Sequence, residues 1–120
     1  MSGAASTDTR SPATFGSLIG KTVRWTFEDG PVAGKTYEHT FNADGSVVYR
    51  SIEGTKPGKT TREKQCAVDS VGEDVVVISY LASSGYTLTV ILDFRDHRMV
   101  GFASNEKEWY RQQGTFELCR

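Results

Sequence analysis

Tyr37 and His39 are the pair in this chain best suited to hold or move a proton. They stand two residues apart in Thr36-Tyr37-Glu38-His39-Thr40-Phe41, so an extended strand projects both from one face. An imidazole in an apolar hollow needs only a modest shift to titrate across neutral pH. A buried phenol needs a partner for its hydroxyl. Together they point to two chemistries. One is acid/base catalysis, with His39 as general base and Tyr37 as donor. The other is recognition of a polar group on a small ligand. A histidine hydrogen-bonded within a small core is the plainer alternative. The second histidine, His97, lies in the charged turn Asp96-His97-Arg98 and is expected at the surface.

Other catalytic signatures are missing. The chain has no phosphate-binding glycine loop, nucleophile elbow, HExxH or paired CxxC. Cys66 and Cys119 are too far apart in sequence for a metal motif and too few for a disulfide framework. No metal and no cofactor is therefore expected, and reduced thiols in the cytoplasm are the favoured reading, with a Cys66–Cys119 bridge the open alternative.

The elements that position Tyr37 and His39 are three consecutive expected strands over 22–27, 36–42 and 46–52. Glu28-Asp29-Gly30 ends the first and Ala43-Asp44-Gly45 the second. Asp-Gly ahead of an alternating run is a strong hairpin signal, because glycine accepts the positive φ of a tight turn. By period two Val23, Trp25 and Phe27 share one face, as do Tyr37, His39 and Phe41. Tyr49 and Tyr80 extend the aromatic inventory, and these faces line the one cavity the sequence suggests. Lys59, after the loop Glu53-Gly54-Thr55-Lys56-Pro57-Gly58, is placed to meet an anionic ligand at its mouth.

Further strands are expected over 60–71, 75–81, 86–94, 99–104 and 114–119, with 106–112 either a helical turn or a strand. Val75-Val76-Val77-Ile78 reads as a run buried on both sides or central in a sheet. Strands recurring every eight to twelve residues, with no sustained helical period, argue an all-β antiparallel meander. Closure removes sticky edges, so an up-and-down barrel of about eight to nine strands is preferred to a two-sheet sandwich. With 120 residues there is one domain, expected over 15–120, after a disordered N-terminal arm at 1–14. A formal net charge of −1 with interspersed signs gives no nucleic-acid footprint. No apolar run is long enough to span a membrane.

The pieces Trp25-Thr26-Phe27-Glu28-Asp29-Gly30, Tyr37-Glu38, Val48-Tyr49-Arg50, Ile78-Ser79-Tyr80 and Arg98-Met99-Val100-Gly101 resemble the phenolic acid decarboxylases and the related MoaF-like proteins. The resemblance runs from about Ile19 to Phe102 and implies a lipocalin-like (calycin) β-barrel. The decarboxylases hold the substrate carboxylate with a Tyr-x-Tyr pair, where this chain has Trp25 and Phe27. Their arginine falls near Lys59 and their general-acid glutamate near Ala82, which cannot move a proton. Only Tyr37 matches as it stands. The resemblance therefore favours the MoaF-like side, a small barrel holding a small molecule.

The leading expectation is a pocket lined by Trp25, Phe27, Tyr37, His39, Tyr49 and Tyr80, with Lys59 at the mouth, taking a small aromatic or hydrophobic acid. The alternative is a lyase or isomerase acting on a small unsaturated phenolic acid, with Tyr37 and His39 as the acid/base pair. A third reading is an interaction module with a filled core and an apolar patch at Val100, Phe102, Trp109 and Tyr110. A homodimer through that patch or a sheet edge is a further expectation.

Overall fold

The computed structural model describes residues 18–54 and 56–119; the expected N-terminal arm lies outside them. The ten named elements are all strands: β1 (Thr22–Phe27), β2 (Thr36–Phe41), β3 (Val47–Glu53), β4 (Lys56–Pro57), β5 (Thr61–Glu63), β6 (Ala67–Ser70), β7 (Val75–Leu81), β8 (Thr87–Asp93), β9 (Arg98–Ser104) and β10 (Trp109–Cys119). They form one curled antiparallel sheet in the order β4-β3-β2-β1-β10-β9-β8-β7-β6, with β5 sharing the outer edge of β3. This is the up-and-down barrel expected. The count exceeds eight to nine because the segment after β3 breaks into the short pieces β4, β5 and β6, separated by Gly58-Lys59-Thr60 and Lys64-Gln65-Cys66.

The β2–β3 hairpin shows how local chemistry sets the register. Gly45 takes φ +88°, and its N–H donates to Asn42 O at 3.0 Å. Asp44 Oδ1 accepts the Ser46 N–H at 2.9 Å and its hydroxyl at 2.6 Å. An Asx turn of this kind replaces backbone partners the tight bend removes. The register that follows pairs His39 with Tyr49 and Tyr37 with Ser51. It also pairs Trp25 of β1 with Tyr37.

Among the described residues no ladder joins β6 to β5 or β3, so the barrel has a seam. Local contacts cross it. The Cys66 N–H donates to Gly45 O at 2.8 Å. The Glu63 carboxylate reaches from β5 to the β7–β8 turn, where the Ser83 N–H and hydroxyl donate to it at 2.8 and 3.2 Å.

The interior has two unlike ends. At one end Leu18, Val23, Phe41, Val47, Val76, Leu92, Met99 and Phe116 are buried and pack as a plug. Moving along each strand to the other end, the inward residues change character. Val76 and Ile78 give way to Tyr80, Phe41 to His39 and Tyr37, and Met99 to Gly101 and Ala103. Small inward residues on β9 face large aromatic ones on β1 and β2, and room is left between them.

The β7 run is central in the sheet, paired with β6 on one edge and β8 on the other, and it is fully buried on its inward face only, Val75 and Val77 being partly exposed. Two expectations are corrected. Residues 109–119 form one long strand rather than a helical turn or strand followed by a second strand. In that strand Tyr110 points inward by period two, away from the outer patch of Val100, Phe102 and Trp109. Cys66 and Cys119 are free thiols. No helix among the described residues is long and apolar enough to cross a membrane.

Candidate functional site

The hollow end forms an open-mouthed cavity of about 410 Å³. Trp25, Phe27, Tyr37, His39, Tyr49 and Tyr80 all lie on its wall. Lys59 does not; it is an exposed loop residue beyond the lining set.

His39 sits at the base, where β1, β2 and β3 bring three rings together. Its ring stacks on Trp25 with centroids 4.0 Å apart and on Tyr49 at 5.0 Å. Nε2 lies 2.8 Å from the Tyr80 hydroxyl across the barrel, so the partner of His39 is Tyr80 and not Tyr37. The residue is only 2% exposed. Burial holds its pKa far below the ordinary value, at about 3, because charging the imidazole here would forfeit hydration. At neutral pH His39 is uncharged. Nδ1 is buried without a partner. A bare acceptor is less costly in that position than an N–H, so the proton belongs on Nε2, donating to Tyr80 O.

A second cluster lies beside it. The Tyr49 hydroxyl donates to Glu63 Oε2 at 2.8 Å, and burial, reinforced by that carboxylate, pushes the phenol up to about 12. Burial also acts to raise Glu63, but the donors from Ser83 and Tyr49 outweigh it and hold the carboxyl below its usual value. The Tyr80 phenol is pushed up chiefly by burial. Tyr49 and Tyr80 approach with centroids 5.4 Å apart. Both tyrosines therefore act as neutral donors or acceptors, not as bases.

The rim adds residues that the sequence reading missed. Tyr86 just ahead of β8, Leu88 on β8, Ala103 on β9, and Tyr110 and Gln112 on β10 line the cavity. Tyr86 donates to Glu108, and Phe27 meets Tyr37 edge-on at 5.9 Å. A single strand in phase with the apolar Phe116 would have placed Gln112 and Tyr110 inward; the ambiguous reading of 106–112 lost that phase. Among the described lining residues none is Lys, Arg, Asp or Glu.

A larger open groove, about 920 Å³, lies on the outer face of β1–β3. Its floor is a cross-strand ladder: Arg24 faces Glu38, and Glu38 faces Arg50. Glu38 accepts Arg24 Nε at 2.9 Å and Arg50 Nη2 at 3.0 Å. These charges already satisfy one another, and no converging aromatic rings line the groove. The inner cavity is the better candidate.

A crystal structure from Burkholderia vietnamiensis, provisionally described as a beta-lactamase, is similar to this chain in fold. It superposes with a TM-score of 0.69 at 20% identity, covering 92% of this chain and 98% of that one. No curated protein matches the sequence. The sequence model of MoaF-like proteins matches residues 19–117. With that match covering nearly the whole barrel, the chain belongs to the MoaF-like family.

Proposed function

We propose that the protein is a binding barrel whose hollow end takes a small, uncharged aromatic or hydrophobic molecule. The observation that carries this reading is the wall itself. All five tyrosines of the chain, with Trp25 and Phe27, converge on one cavity. Rings of this kind bury a flat ligand by stacking and edge contacts, while a few placed hydroxyls orient it. The Tyr37 hydroxyl has no side-chain partner among the described residues and is free for that role.

The lining favours a neutral ligand over the acid that the decarboxylase resemblance suggests. A carboxylate would leave water for a wall with no cation, and an unpaired buried charge is costly. The lyase or isomerase alternative has weaker support. A base held near pKa 3 takes a proton poorly at neutral pH, and its hydrogen-bond partner is Tyr80.

The test is fluorescence titration in a Trp109→Phe background, where Trp25 alone reports. 2-Naphthol is expected to change the emission saturably, and 2-naphthoate to do so at least about tenfold more weakly. Leu88→Phe, which fills the cavity from β8 without adding a second tryptophan, should weaken the response sharply. A flat response to both probes overturns the binding reading, and tighter binding of 2-naphthoate overturns the charge assignment.

A further inference from the structure

We propose that Gln112 selects the ligand, its side-chain amide pairing with a neutral planar ring that carries a hydrogen-bond donor and an acceptor side by side, as a cyclic amide does. The inference rests on the ligand-binding reading above. Among the described residues five polar or charged side chains are buried: Glu38, His39, Ser46, Glu63 and Gln112. Glu38 is held by two arginines, His39 by Tyr80, Ser46 by Asp44 and Glu63 by Tyr49 and Ser83. Gln112 is the exception. At 5% exposure it makes no side-chain hydrogen bond to the described residues, yet its amide atoms are not sealed off as His39 Nδ1 is, which leaves them open to a partner in the cavity.

The small exposure that Gln112 keeps is toward the cavity, whose wall it forms. The side chain is also held in place. On β10 it pairs with Gly101, and the β1–β2 turn closes over it at Gly30. A Cβ at that glycine would lie 2.9 Å from Gln112 Cγ and 3.1 Å from Oε1. Gly30 has φ +77°, so the turn both requires glycine and uses its bareness to clamp the amide. A primary amide presents one acceptor oxygen beside an NH₂ donor. Its complement is an N–H next to a C=O in one plane. A carboxylate offers acceptors only and would meet the glutamine oxygen unfavourably, with no cation on the wall to offset it.

The experiment is calorimetric titration of the full chain with three probes: 2-quinolone, N-methyl-2-quinolone (which lacks the donor) and naphthalene (which lacks both groups). The wild type is expected to bind 2-quinolone at least about tenfold more tightly than N-methyl-2-quinolone. Gln112→Leu and Gln112→Met, close in volume and without the amide, should bring the two quinolones to within about twofold while still binding naphthalene. Retained naphthalene binding certifies that the variants are folded. Equal binding of the two quinolones by the wild type overturns the assignment, as does discrimination that persists in both variants. Failure of all three probes with the wild type overturns the underlying binding reading instead.

Discussion

At the scale of single residues, the most informative group is a histidine that does not titrate where histidines usually do. His39 is sealed between Trp25 and Tyr49 and is held neutral by burial, with a pKa of about 3 against an unfolded value of 6.5. Between those values the unfolded chain binds the extra proton and the folded chain does not. Stability is therefore full above pH 6.5 and falls as the pH drops toward 3, at up to about 1.4 kcal/mol per pH unit. The carboxyls with lowered pKa values, Glu38 and Glu63 among them, begin to contribute as the pH falls through their ordinary value of 4.5, so a window of about pH 5.5–6.5 isolates the histidine. Denaturant melts across that window should slope for the wild type and flatten in His39→Phe, which keeps a ring between its two neighbours. An equal slope in the variant would show that the term lies elsewhere. The sequence made the position of His39 legible, because period two puts it on the face of Tyr37 and Phe41. Its pairing with Tyr80 was not legible, since those residues meet across the barrel from strands far apart in the chain. Lys59 lies outside the lining residues, and its place was hard to read for a related reason: a loop residue has no periodicity from which to read its direction.

Individual strands follow closely from pattern and turn chemistry, and the edges between them do not. The Asp-Gly turns and alternating faces placed β1, β2 and β3 within about one residue of their observed bounds. The final strand was harder. Gly114 interrupts its alternation and looks like a break, yet the glycine sits inside β10 because the neighbouring strand presses on it. A Cβ there would lie 1.9 Å from Thr26 O. The seam is the other feature hidden from sequence, since Glu63 reads as one more surface carboxylate. In the fold it is buried and accepts Tyr49 and Ser83 from two different elements. Glu63→Ala takes the acceptor from the half-buried Tyr49 hydroxyl, at about 1 kcal/mol, while the exposed Ser83 donors turn to water. The expected result is a clear loss of stability, accompanied by faster hydrogen exchange at the Ser83 amide than at the β2–β3 ladder. Uniform acceleration across the sheet, or none at Ser83, would mean that the carboxylate is not what fastens the seam.

The whole molecule divides its interior between stability and vacancy. Its plug packs aliphatic and aromatic side chains at one end, while the other end leaves a cavity that a slightly larger residue would occupy. That vacancy has a stability cost, because wall atoms facing empty or watery space lose contacts they would have in a filled core. Ala103 is the position at which to test this, since it lines the cavity between Leu88 on β8 and Tyr110 on β10. Ala103→Leu adds apolar bulk directly into the space. If the hollow exists for a ligand, the variant should gain about 1 kcal/mol of stability, seen as a rise in Tm of about 4 °C. Binding of 2-naphthol should weaken at the same time. Opposite movement of the two readouts is the signature of a core kept open for occupancy. If Ala103→Leu lowered the Tm and left binding intact, the space would be tighter than its wall implies, and the ligand would have to sit elsewhere. Trp109→Phe as the common background keeps the optical signal on Trp25 and leaves the cavity wall unchanged, because Trp109 points outward and is 65% exposed.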